Sequence, residues 1–348
     1  MDYSTSFKDK IILVTGGTGT IGSEIVSQLL DMNPKTIRIL SNSENELWET
    51  KLRFKDSAFK LRFLLGDIRD YERILRATNN VDYIFNASAV KHVPISEYNP
   101  MEAINVNIHG LENIIEAAFK CNVKKFVHIS TDKAVNPTTV MGATKMLGER
   151  LCISRELAKG THKTQISIVR FGNVLGSRGS IIPLIKEQIK TGNFVTLTDE
   201  KMKRFFLSIS QAVGLVLKAA VMAKGGEIFV LKMPSIFIKD LIEILIEEYA
   251  PKIGKDPDSI KIKIIGPRMG EKINEVLISP IEFSSCYELN GMYCIYPLAH
   301  FNHDTSYYKI DKNGTKAIRD KDFHYNTEHA TTLSKKEIKD ILRELKLI

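Results

Sequence analysis

The chain has 348 residues, of which 43% are hydrophobic and 26% charged, the usage of a folded globular protein. This composition excludes a disordered, collagen-like or disulfide-rich chain. Lys and Arg outnumber Asp and Glu by 49 to 41, giving a net charge of +8, but the excess is scattered along the chain. Such a balance suits an anionic small substrate and lacks the basic stripe with interleaved aromatics that nucleic acid binding requires.

Two further patterns exclude other classes of protein. No apolar run reaches the ~18 residues of a membrane span. The four cysteines contain no CxxC pair, which excludes a zinc site of that kind and a disulfide framework. We therefore expect a cytoplasmic protein with reduced cysteines, no metal, no membrane segment and no nucleic acid partner.

The first half of the chain alternates between short apolar strands and amphipathic helices. Strands are predicted at Ile11–Thr15, Ile37–Leu40, Phe63–Leu65, Tyr83–Asn86, Phe126–Ser130 and Ile166–Arg170. Helices are predicted among them at Glu24–Leu30, Met101–Phe119 and Gly142–Ala158. This alternation is typical of the α/β class with a doubly wound parallel Rossmann sheet.

The pattern changes after the sixth strand. The chain becomes loop-rich, and from about residue 239 helical segments such as Leu241–Tyr249 and Lys335–Leu345 mix with short strands. We predict a dinucleotide-binding Rossmann domain over residues 1–172, to which residues 205–235 return. Residues 173–204 and 236–348 are predicted to form a smaller, mostly C-terminal substrate lobe.

A glycine-rich loop joins the first strand to the first helix. The run Thr15-Gly-Gly-Thr-Gly-Thr-Ile-Gly22 matches the dinucleotide fingerprint in the context that the fingerprint requires. Its glycines permit a tight turn and close approach to a pyrophosphate, and the helix N-terminus supplies N–H donors to the anion. The predicted cofactor contacts here are Gly16, Thr18, Gly19, Thr20, Ile21 and Gly22.

The end of the second strand bears on the choice of cofactor. NAD-binding versions usually place Asp or Glu there, but this chain has Ser41, Asn42 and Ser43, which can donate to a 2′-phosphate. The sequence therefore favours NADP, with NAD as the alternative. After the third strand, Asp67 is expected either to meet the adenine or to cap a helix. The other predicted cofactor contacts are Ile68, Ala87, Ser88, Ala89, Lys91 and Lys145.

Reactive side chains follow the fifth strand. The carboxyl ends of parallel strands face the ligand crevice, so Thr131, Asp132 and Lys133 are expected near the nicotinamide. Met141 and Lys145 are four residues apart on the next helix and therefore share one face.

With these motifs the sequence resembles the extended short-chain dehydrogenase/reductase superfamily, and within it the nucleotide-sugar 4,6-dehydratases that act on UDP-N-acetylglucosamine. The resemblance covers most of the chain. Besides the glycine loop it rests on residues 86–94, 130–137, 170–180 and 266–272, and on Arg204 with its neighbouring phenylalanines.

The resemblance implies a lyase reaction of surface-polysaccharide sugar biosynthesis. Hydride leaves sugar C4 for the nicotinamide, water is lost across C5 and C6, and hydride returns at C6. Elimination needs a base and an acid, and Lys133, with a pKa lowered by Lys145, is predicted as the base and Asp132 as the acid. The implied substrate contacts are Lys91, His92, Asn173, Ser180, Arg204, Arg268 and Glu271, with Arg178 as a further candidate. A homo-oligomer is expected.

Met141 departs from the pattern of most short-chain enzymes, which have a tyrosine acid/base at this position. Methionine cannot transfer a proton, so the C4 hydroxyl proton is expected to pass to Thr131, Asp132, Lys133 or water. A subset of the 4,6-dehydratases is similar here, which favours UDP-N-acetylglucosamine and retention at C5. The alternatives are an epimerase of the same fold and a non-catalytic NADP-binding regulator.

Overall fold

The computed structural model describes residues 3–177, 179–289, 291–297, 315–317 and 325–348. The first six strands are β1 (Ile11–Thr15), β2 (Thr36–Ser41), β3 (Leu61–Leu65), β4 (Tyr83–Asn86), β5 (Lys125–Thr131) and β6 (Gln165–Phe171). The helices among them are α1 (Thr20–Asp31), α2 (Glu44–Arg53), α3 (Tyr71–Thr78), α4 (Val93–Tyr98), α5 (Pro100–Ile104), α6 (Leu111–Lys120) and α7 (Val140–Leu157).

The remaining elements are shorter and less regular in order. The strands are β7 (Asn173–Val174), β8 (Phe194–Leu197), β9 (Lys203–Leu207), β10 (Ile228–Leu231), β11 (Ser235–Phe237), β12 (Lys261–Ile264), β13 (Val276–Ile278), β14 (Cys286–Leu289), β15 (Met292–Ile295), β16 (Thr315–Ala317) and β17 (Tyr325–Asn326). The helices are α8 (Ile181–Thr191), α9 (Ile209–Met222), α10 (Ile238–Tyr249) and α11 (Lys335–Glu344).

The central sheet has the strand order of a Rossmann fold. Its parallel strands, among the described residues, run in the order β3-β2-β1-β4-β5-β6-β10. Helices cover both faces of such a sheet, and accordingly β1 and β4 are buried along almost their whole length. The predicted fold class is confirmed. The strand order reverses between β1 and β4, where the ligand crevice of this fold opens.

An antiparallel extension at the β10 edge was not predicted. β15 pairs with β10, β14 pairs with β15, and β16 pairs with β14. β14 and β15, whose residues the sequence analysis places in the C-terminal lobe, therefore lengthen the Rossmann sheet. Short strands that are not joined by helices show no alternating hydrophobic pattern from which the sheet edge that they join can be predicted.

A second apolar cluster forms the core of a smaller lobe. It is built from buried side chains such as Ile185, Val195, Leu241 and Leu342, which come from α8, β8, α10 and α11. β12 pairs with β8, and β9 pairs with both β11 and β7. Three separate stretches of sequence, which carry α8 to β9, β11 to β12 and α11, thus supply this lobe.

A π-helical turn at Asn105–Gly110 interrupts the predicted helix Met101–Phe119. Within it, the buried Asn107 accepts a hydrogen bond from the Val90 N–H (2.8 Å) and donates to the Val90 carbonyl (3.0 Å) and to Thr144 Oγ1 (2.9 Å). This side chain fixes the segment after β4 against α7, and so it holds two walls of the ligand crevice together.

Candidate active site

A cleft of about 750 Å³ lies at the carboxyl ends of the parallel strands. It is lined by the glycine loop, the ends of β2 to β5, the start of α7 and residues from the segments 171–177 and 179–182. The predicted site residues that line it are Gly16, Thr18, Gly19, Thr20, Ile21, Gly22, Ser41, Asn42, Asp67, Ile68, Ala87, Ser88, Ala89, Lys91, His92, Thr131, Lys133, Met141, Lys145, Asn173 and Ser180. The fold therefore brings most of the predicted residues to one cleft.

The glycine loop has the shape that close approach of a diphosphate requires. Gly16 has a φ of 62°, in the left-handed region, and a Cβ there would lie 2.8 Å from the Ala87 carbonyl. A Cβ on Gly22 would lie 2.2 Å from the carbonyl oxygen of Gly16. Gly19 begins α1 without a side-chain cap, so backbone N–H groups and the helix dipole favour an anion there. These residues fit the diphosphate of a dinucleotide.

A carboxylate that the sequence analysis missed, Glu46, lines the cleft beside the end of β2. The Thr18 hydroxyl lies 2.6 Å from Glu46 Oε2 and 2.9 Å from Ser41 Oγ. The predicted contact Ser43 does not line the cleft; its hydroxyl caps α2 by accepting from the Glu46 N–H at 3.3 Å. Glu46 was missed because it lies in the first turn of α2 rather than at the end of the strand, where the acidic residue is usually sought.

Asp67 faces the same end of the cleft from β3. Its carboxylate accepts hydrogen bonds from the side chains of Arg69 (2.8 and 3.0 Å) and Asn42, and these bonds hold its pKa below the usual value. The interpretation of Asp67 as a helix cap is wrong, because Asp70 is the residue whose side chain caps α3. Contact with the adenine stays a prediction for Asp67.

The residues at the end of β5 form a hydrogen-bonded chain. The Thr131 hydroxyl donates to Asp132 Oδ1 at 2.8 Å, and Lys133 Nζ donates to the same oxygen at 3.0 Å. Asp132 is fully buried and lies behind the cleft wall, whereas both of its neighbours line the cleft. Thr131 and Lys133 therefore connect a buried carboxylate to the space where a ligand would bind.

A second buried carboxylate, Glu275, lies beside Lys133. Its Oε1 is 3.8 Å from Lys133 Nζ and 3.8 Å from Arg204 Nε. Burial raises the pKa of Glu275, and the charge of Asp132 raises it further. The sequence analysis missed Glu275, which follows the motif of residues 266–272 by three positions and reaches β5 only through the fold. The cluster thus contains two carboxylates.

The predicted lowering of the Lys133 pKa is wrong. Burial does lower the pKa of Lys133, but the charges of Asp132 and Glu275 outweigh it, so the pKa lies above its ordinary value. Of Lys133 and Lys145, it is Lys145 whose pKa is lowered, and burial brings it to about 8. Its Nζ donates to the Ile129 carbonyl at 2.7 Å. Lys133 is therefore an ammonium in an ion pair, and it must lose a proton before it can act as a base.

The opposite end of the cleft is formed by two loops that meet. Asn173 Oδ1 accepts a hydrogen bond from Lys133 Nζ at 3.2 Å. The His92 ring packs on the turn at Gly179, where a Cβ would lie 2.4 Å from the ring. The segment after β4 and the segment before α8, which also carries Ser180, thus close this end of the cleft.

Three predicted substrate contacts do not line the cleft. Arg204 is buried and donates to backbone carbonyls of β9 and of residues 272–273. Glu271 accepts from Thr198 Oγ1 at 3.3 Å, and Arg268 is exposed on the same turn. The roles of Arg204, Arg268 and Glu271 in substrate binding stay predictions, and Arg178 lies outside the described residues.

Comparison with known proteins gives the family of this chain. A family model described as polysaccharide biosynthesis protein matches residues 12–297. The chain belongs to this family. The match confirms the resemblance that the motifs indicate. One curated relative, from Methanocaldococcus jannaschii, is 54% identical over 99% of this chain and 98% of its own, and is named an uncharacterized membrane protein.

Two further relatives have named activities. A UDP-N-acetylglucosamine 4,6-dehydratase (inverting) from Campylobacter jejuni is 39% identical over 97% of this chain and 98% of its own. A UDP-glucose 4-epimerase from Rickettsia prowazekii is 38% identical over 97% of each chain. These relatives therefore carry two kinds of nucleotide-sugar name.

Solved structures share the fold of this chain. Pen from Bacillus thuringiensis has a TM-score of 0.89 and 42% identity, covering 98% of this chain and 99% of that one. A dTDP-glucose 4,6-dehydratase from Streptomyces venezuelae, solved with NAD bound, has a TM-score of 0.66 and 23% identity over 76% of this chain and 86% of that one; it shows the shared fold. Within the described ranges, no helix is long and apolar enough to cross a membrane.

Proposed function

We propose that this protein is a nucleotide-sugar 4,6-dehydratase that acts on UDP-N-acetylglucosamine. The observation that carries the proposal is the chain of Thr131, Asp132 and Lys133 at the end of β5, with a buried carboxylate joined to two groups that line the cleft. Epimerisation at C4 needs no acid for a departing hydroxyl, so this cluster favours the dehydratase over the epimerases of the same family. The similarity to the Campylobacter jejuni dehydratase over almost the whole chain supports the substrate class.

A nicotinamide dinucleotide would fit this cleft and, when bound, would supply the redox chemistry of a transient oxidation at sugar C4. Gly16, Gly19 and Gly22 would hold its diphosphate at the N-terminus of α1. Lys145, four residues after Met141 on α7, lines the cleft near the end of β5 and supports the nicotinamide half. A dTDP-glucose 4,6-dehydratase of the same fold was solved with NAD bound, which supports this assignment.

We assign the C4 hydroxyl proton to Thr131 and Asp132. Met141 lines the cleft but has no exchangeable proton. The Thr131 hydroxyl can accept the proton of the sugar while it passes its own to Asp132 Oδ1, 2.8 Å away. Asp132 thus becomes the acid that returns a proton through Thr131 to the departing C6 hydroxyl, which leaves as water.

We assign the C5 proton to Lys133. When Asp132 takes up the C4 proton, it loses the charge that contributes most to the raised pKa of Lys133. Lys133 can then give its ammonium proton to Glu275, whose raised pKa favours that transfer, and take the proton from C5. The same lysine returns a proton to C5 after hydride has reached C6, so the first step prepares the base for the second.

Incubation of the purified protein with UDP-N-acetylglucosamine tests the function. The expected product is lighter by one water, forms without net consumption of the dinucleotide and carries deuterium at C5 when the reaction runs in heavy water. Mass spectrometry and proton NMR of the product measure these three properties. A C4 epimer of unchanged mass would establish the epimerase instead, and steady accumulation of reduced dinucleotide would contradict a redox-neutral dehydratase.

Substitution of Met141 tests whether its sulfur takes part. We expect Met141→Leu to keep the rate of dehydration within about tenfold, because leucine has a similar volume and neither side chain titrates. Thr131→Val should reduce the rate more strongly, because it removes the hydroxyl that joins the cleft to Asp132. Steady-state rates of folded, cofactor-loaded variants measure both. An inactive leucine variant would show that the sulfur is needed, and a fully active valine variant would remove Thr131 from the proton path.

A further inference from the structure

We propose that Arg170 is a positioning residue that holds the segment of Glu275 against the end of β5 and so fixes Glu275 beside Lys133. The inference rests on the proposed function, in which Glu275 takes up a proton from Lys133. Arg170 begins the motif at residues 170–180, yet it does not line the cleft. Its contacts inside the protein explain why an arginine is found there.

Arg170 forms an ion-pair triad with two carboxylates and uses all of its N–H donors. Nε and Nη2 donate to the two oxygens of Glu149 at 3.0 and 2.6 Å. Nη1 and Nη2 donate to the two oxygens of Glu282 at 3.0 and 2.8 Å, and Nη1 also donates to the Leu277 carbonyl at 2.7 Å. A guanidinium has five donors in one plane, so this set of acceptors is complete. The Arg170 triad (Glu149, Arg170 and Glu282) thus joins α7, β6 and residues 277–282.

One side of the Arg170 triad is attached to β5. Arg170 lies opposite Ser130 in the parallel pairing of β6 with β5. The Ser130 hydroxyl donates to Glu149 Oε1 at 2.6 Å, the same oxygen that accepts from Arg170 Nε. Ser130 directly precedes residues 131–133, which carry the proposed proton path. The triad is therefore fixed to the strand end that presents Lys133 to the cleft.

The other side of the Arg170 triad holds the segment of Glu275. Leu277 and Glu282 follow Glu275 by two and seven positions. In the described part of the chain, the ladder bonds of β13 go to β17, with which it forms a separate two-stranded sheet. The backbone of Glu275 likewise bonds to Thr327, at 3.0 and 2.9 Å. These bonds do not attach the segment to the central sheet, whereas the bonds of Arg170 do so directly.

Net stability is a poor explanation for the Arg170 triad. Arg170 is buried, and burial lowers its pKa, but the charges of Glu149 and Glu282 outweigh burial, so the pKa lies above its ordinary value. Buried ion pairs contribute little net stability, because the cost of removing the ions from water offsets their attraction. Two bidentate pairs on one planar fork do fix the directions of both carboxylates, and this is what positioning requires.

The position of Glu275 decides whether it can exchange a proton with Lys133. The charges that act on its carboxylate are those of Asp132, Lys133, Arg204 and Lys272. Lys133 Nζ lies 3.8 Å from Glu275 Oε1. Direct proton transfer takes place over about 2.6–3.2 Å, so a ligand must bring the pair only slightly closer, whereas an added displacement of about 1 Å would separate it. The Arg170 triad therefore controls the distance on which the transfer depends.

Glu282→Ala releases one side of the Arg170 triad and tests the proposal. The variant is expected to fold, because Arg170 keeps Glu149 as its counter-charge. In the full-length, dinucleotide-loaded protein with UDP-N-acetylglucosamine, deuterium uptake at C5 should fall by at least about tenfold, since Glu275 no longer receives the Lys133 proton. C4 oxidation should persist, so reduced dinucleotide accumulates and absorbance detects it. Deuterium uptake at the wild-type rate would overturn the proposal.

Two comparisons separate positioning from a general loss of stability. Glu275→Gln should give the same defect, and Glu282→Ala added to it should lower the uptake by no more than about twofold, because both changes act on one group. Glu156 is a buried carboxylate off the cleft that also joins α7 to β6, since it accepts from the Ile166 N–H at 2.9 Å. Glu156→Ala should leave the uptake within about twofold of the wild type. Losses that multiply in the double variant, or an equal loss in Glu156→Ala, would contradict positioning of Glu275.

Crystal structures solved without sugar make the result independent of the proposed reaction. In Glu282→Ala the Glu275 carboxylate should be displaced by about 1 Å or more, while residues 131–133 stay in place. Arg170→Lys keeps the buried positive charge and loses the planar fork, so it should give a displacement of similar size and serves where the alanine variant does not fold. An unmoved Glu275 would refute the positioning role even for an active dehydratase. A displaced Glu275 would uphold that role even for a protein that dehydrates no sugar nucleotide.

Discussion

Lys133→Met is expected to slow elimination of water by a factor of about 10² or more, as loss of a general base typically does. The C4 oxidation should persist, because Thr131 and Asp132 carry that proton and methionine preserves much of the apolar volume. Mixing the variant with UDP-N-acetylglucosamine should therefore reduce the bound dinucleotide, which absorbance detects, while deuterium uptake at C5 almost ceases. Lys120→Met, an exposed lysine at the end of α6, is the control and should behave as the wild type.

Lys133→Met is also expected to affect stability, so a second variant is needed to separate that effect from the loss of the base. Lys133 neutralises two buried carboxylates, Asp132 at 3.0 Å and Glu275 at 3.8 Å, so its removal should lower the free energy of unfolding. Lys133→Met combined with Glu275→Gln removes one of the orphaned charges and should recover part of that stability without restoring elimination. Elimination at the wild-type rate in either folded variant would place the C5 base elsewhere.

The parts of the fold that the sequence predicts are those specified locally. Apolar runs of four to seven residues predict the buried strands. The glycine loop of residues 15–22 predicts a tight turn that leads into a helix. Thr131, Asp132 and Lys133 are predicted together because they are consecutive at a strand end. Their proximity to the cleft follows from the direction of a parallel strand.

The parts that the sequence does not predict depend on contacts between distant segments. Glu275 joins Lys133 across 142 positions, and this contact reverses the expected direction of the lysine pKa. Sequence reasoning considered Lys145, which is near in the chain, and had no signal for the carboxylate that the fold brings in. The same limitation hides the pairing of β15 with β10, because a short antiparallel strand carries no sequence pattern that identifies its partner.

The site also shows why a residue's type does not fix its role. Arg204 is one of the cations that the resemblance assigns to the substrate, yet its guanidinium donates to backbone carbonyls and lies near Glu271 and Glu275. Glu46, by contrast, belongs to an ordinary-looking charged helix and lines the cleft. Arg204 and Glu46 differ in the direction in which their side chains point, and tertiary packing sets that direction.

Asp132→Asn is expected to slow C4 oxidation itself by about 10² or more, which distinguishes it from Lys133→Met. Asparagine has the same shape, and its oxygen can still accept from Thr131 and Lys133, but it cannot take up a proton. Asp132 is fully buried and does not line the cleft, so the affinity for the dinucleotide should be unchanged. Rapid-mixing absorbance of the bound dinucleotide measures the oxidation, and calorimetry of the dinucleotide serves as the control.

The pH dependence of deuterium exchange at C5 gives Asp132→Asn a second readout. Asp132 is the largest of the charges that raise the pKa of Lys133, so its neutralisation should lower that pKa, leaving burial to dominate. The fraction of Lys133 that is a free base then rises at any given pH, and exchange from an added 4-keto sugar nucleotide should begin at lower pH than in the wild type. Oxidation at the wild-type rate would assign the C4 proton to Lys133 or water, and an unshifted exchange profile would show that Asp132 does not control the base.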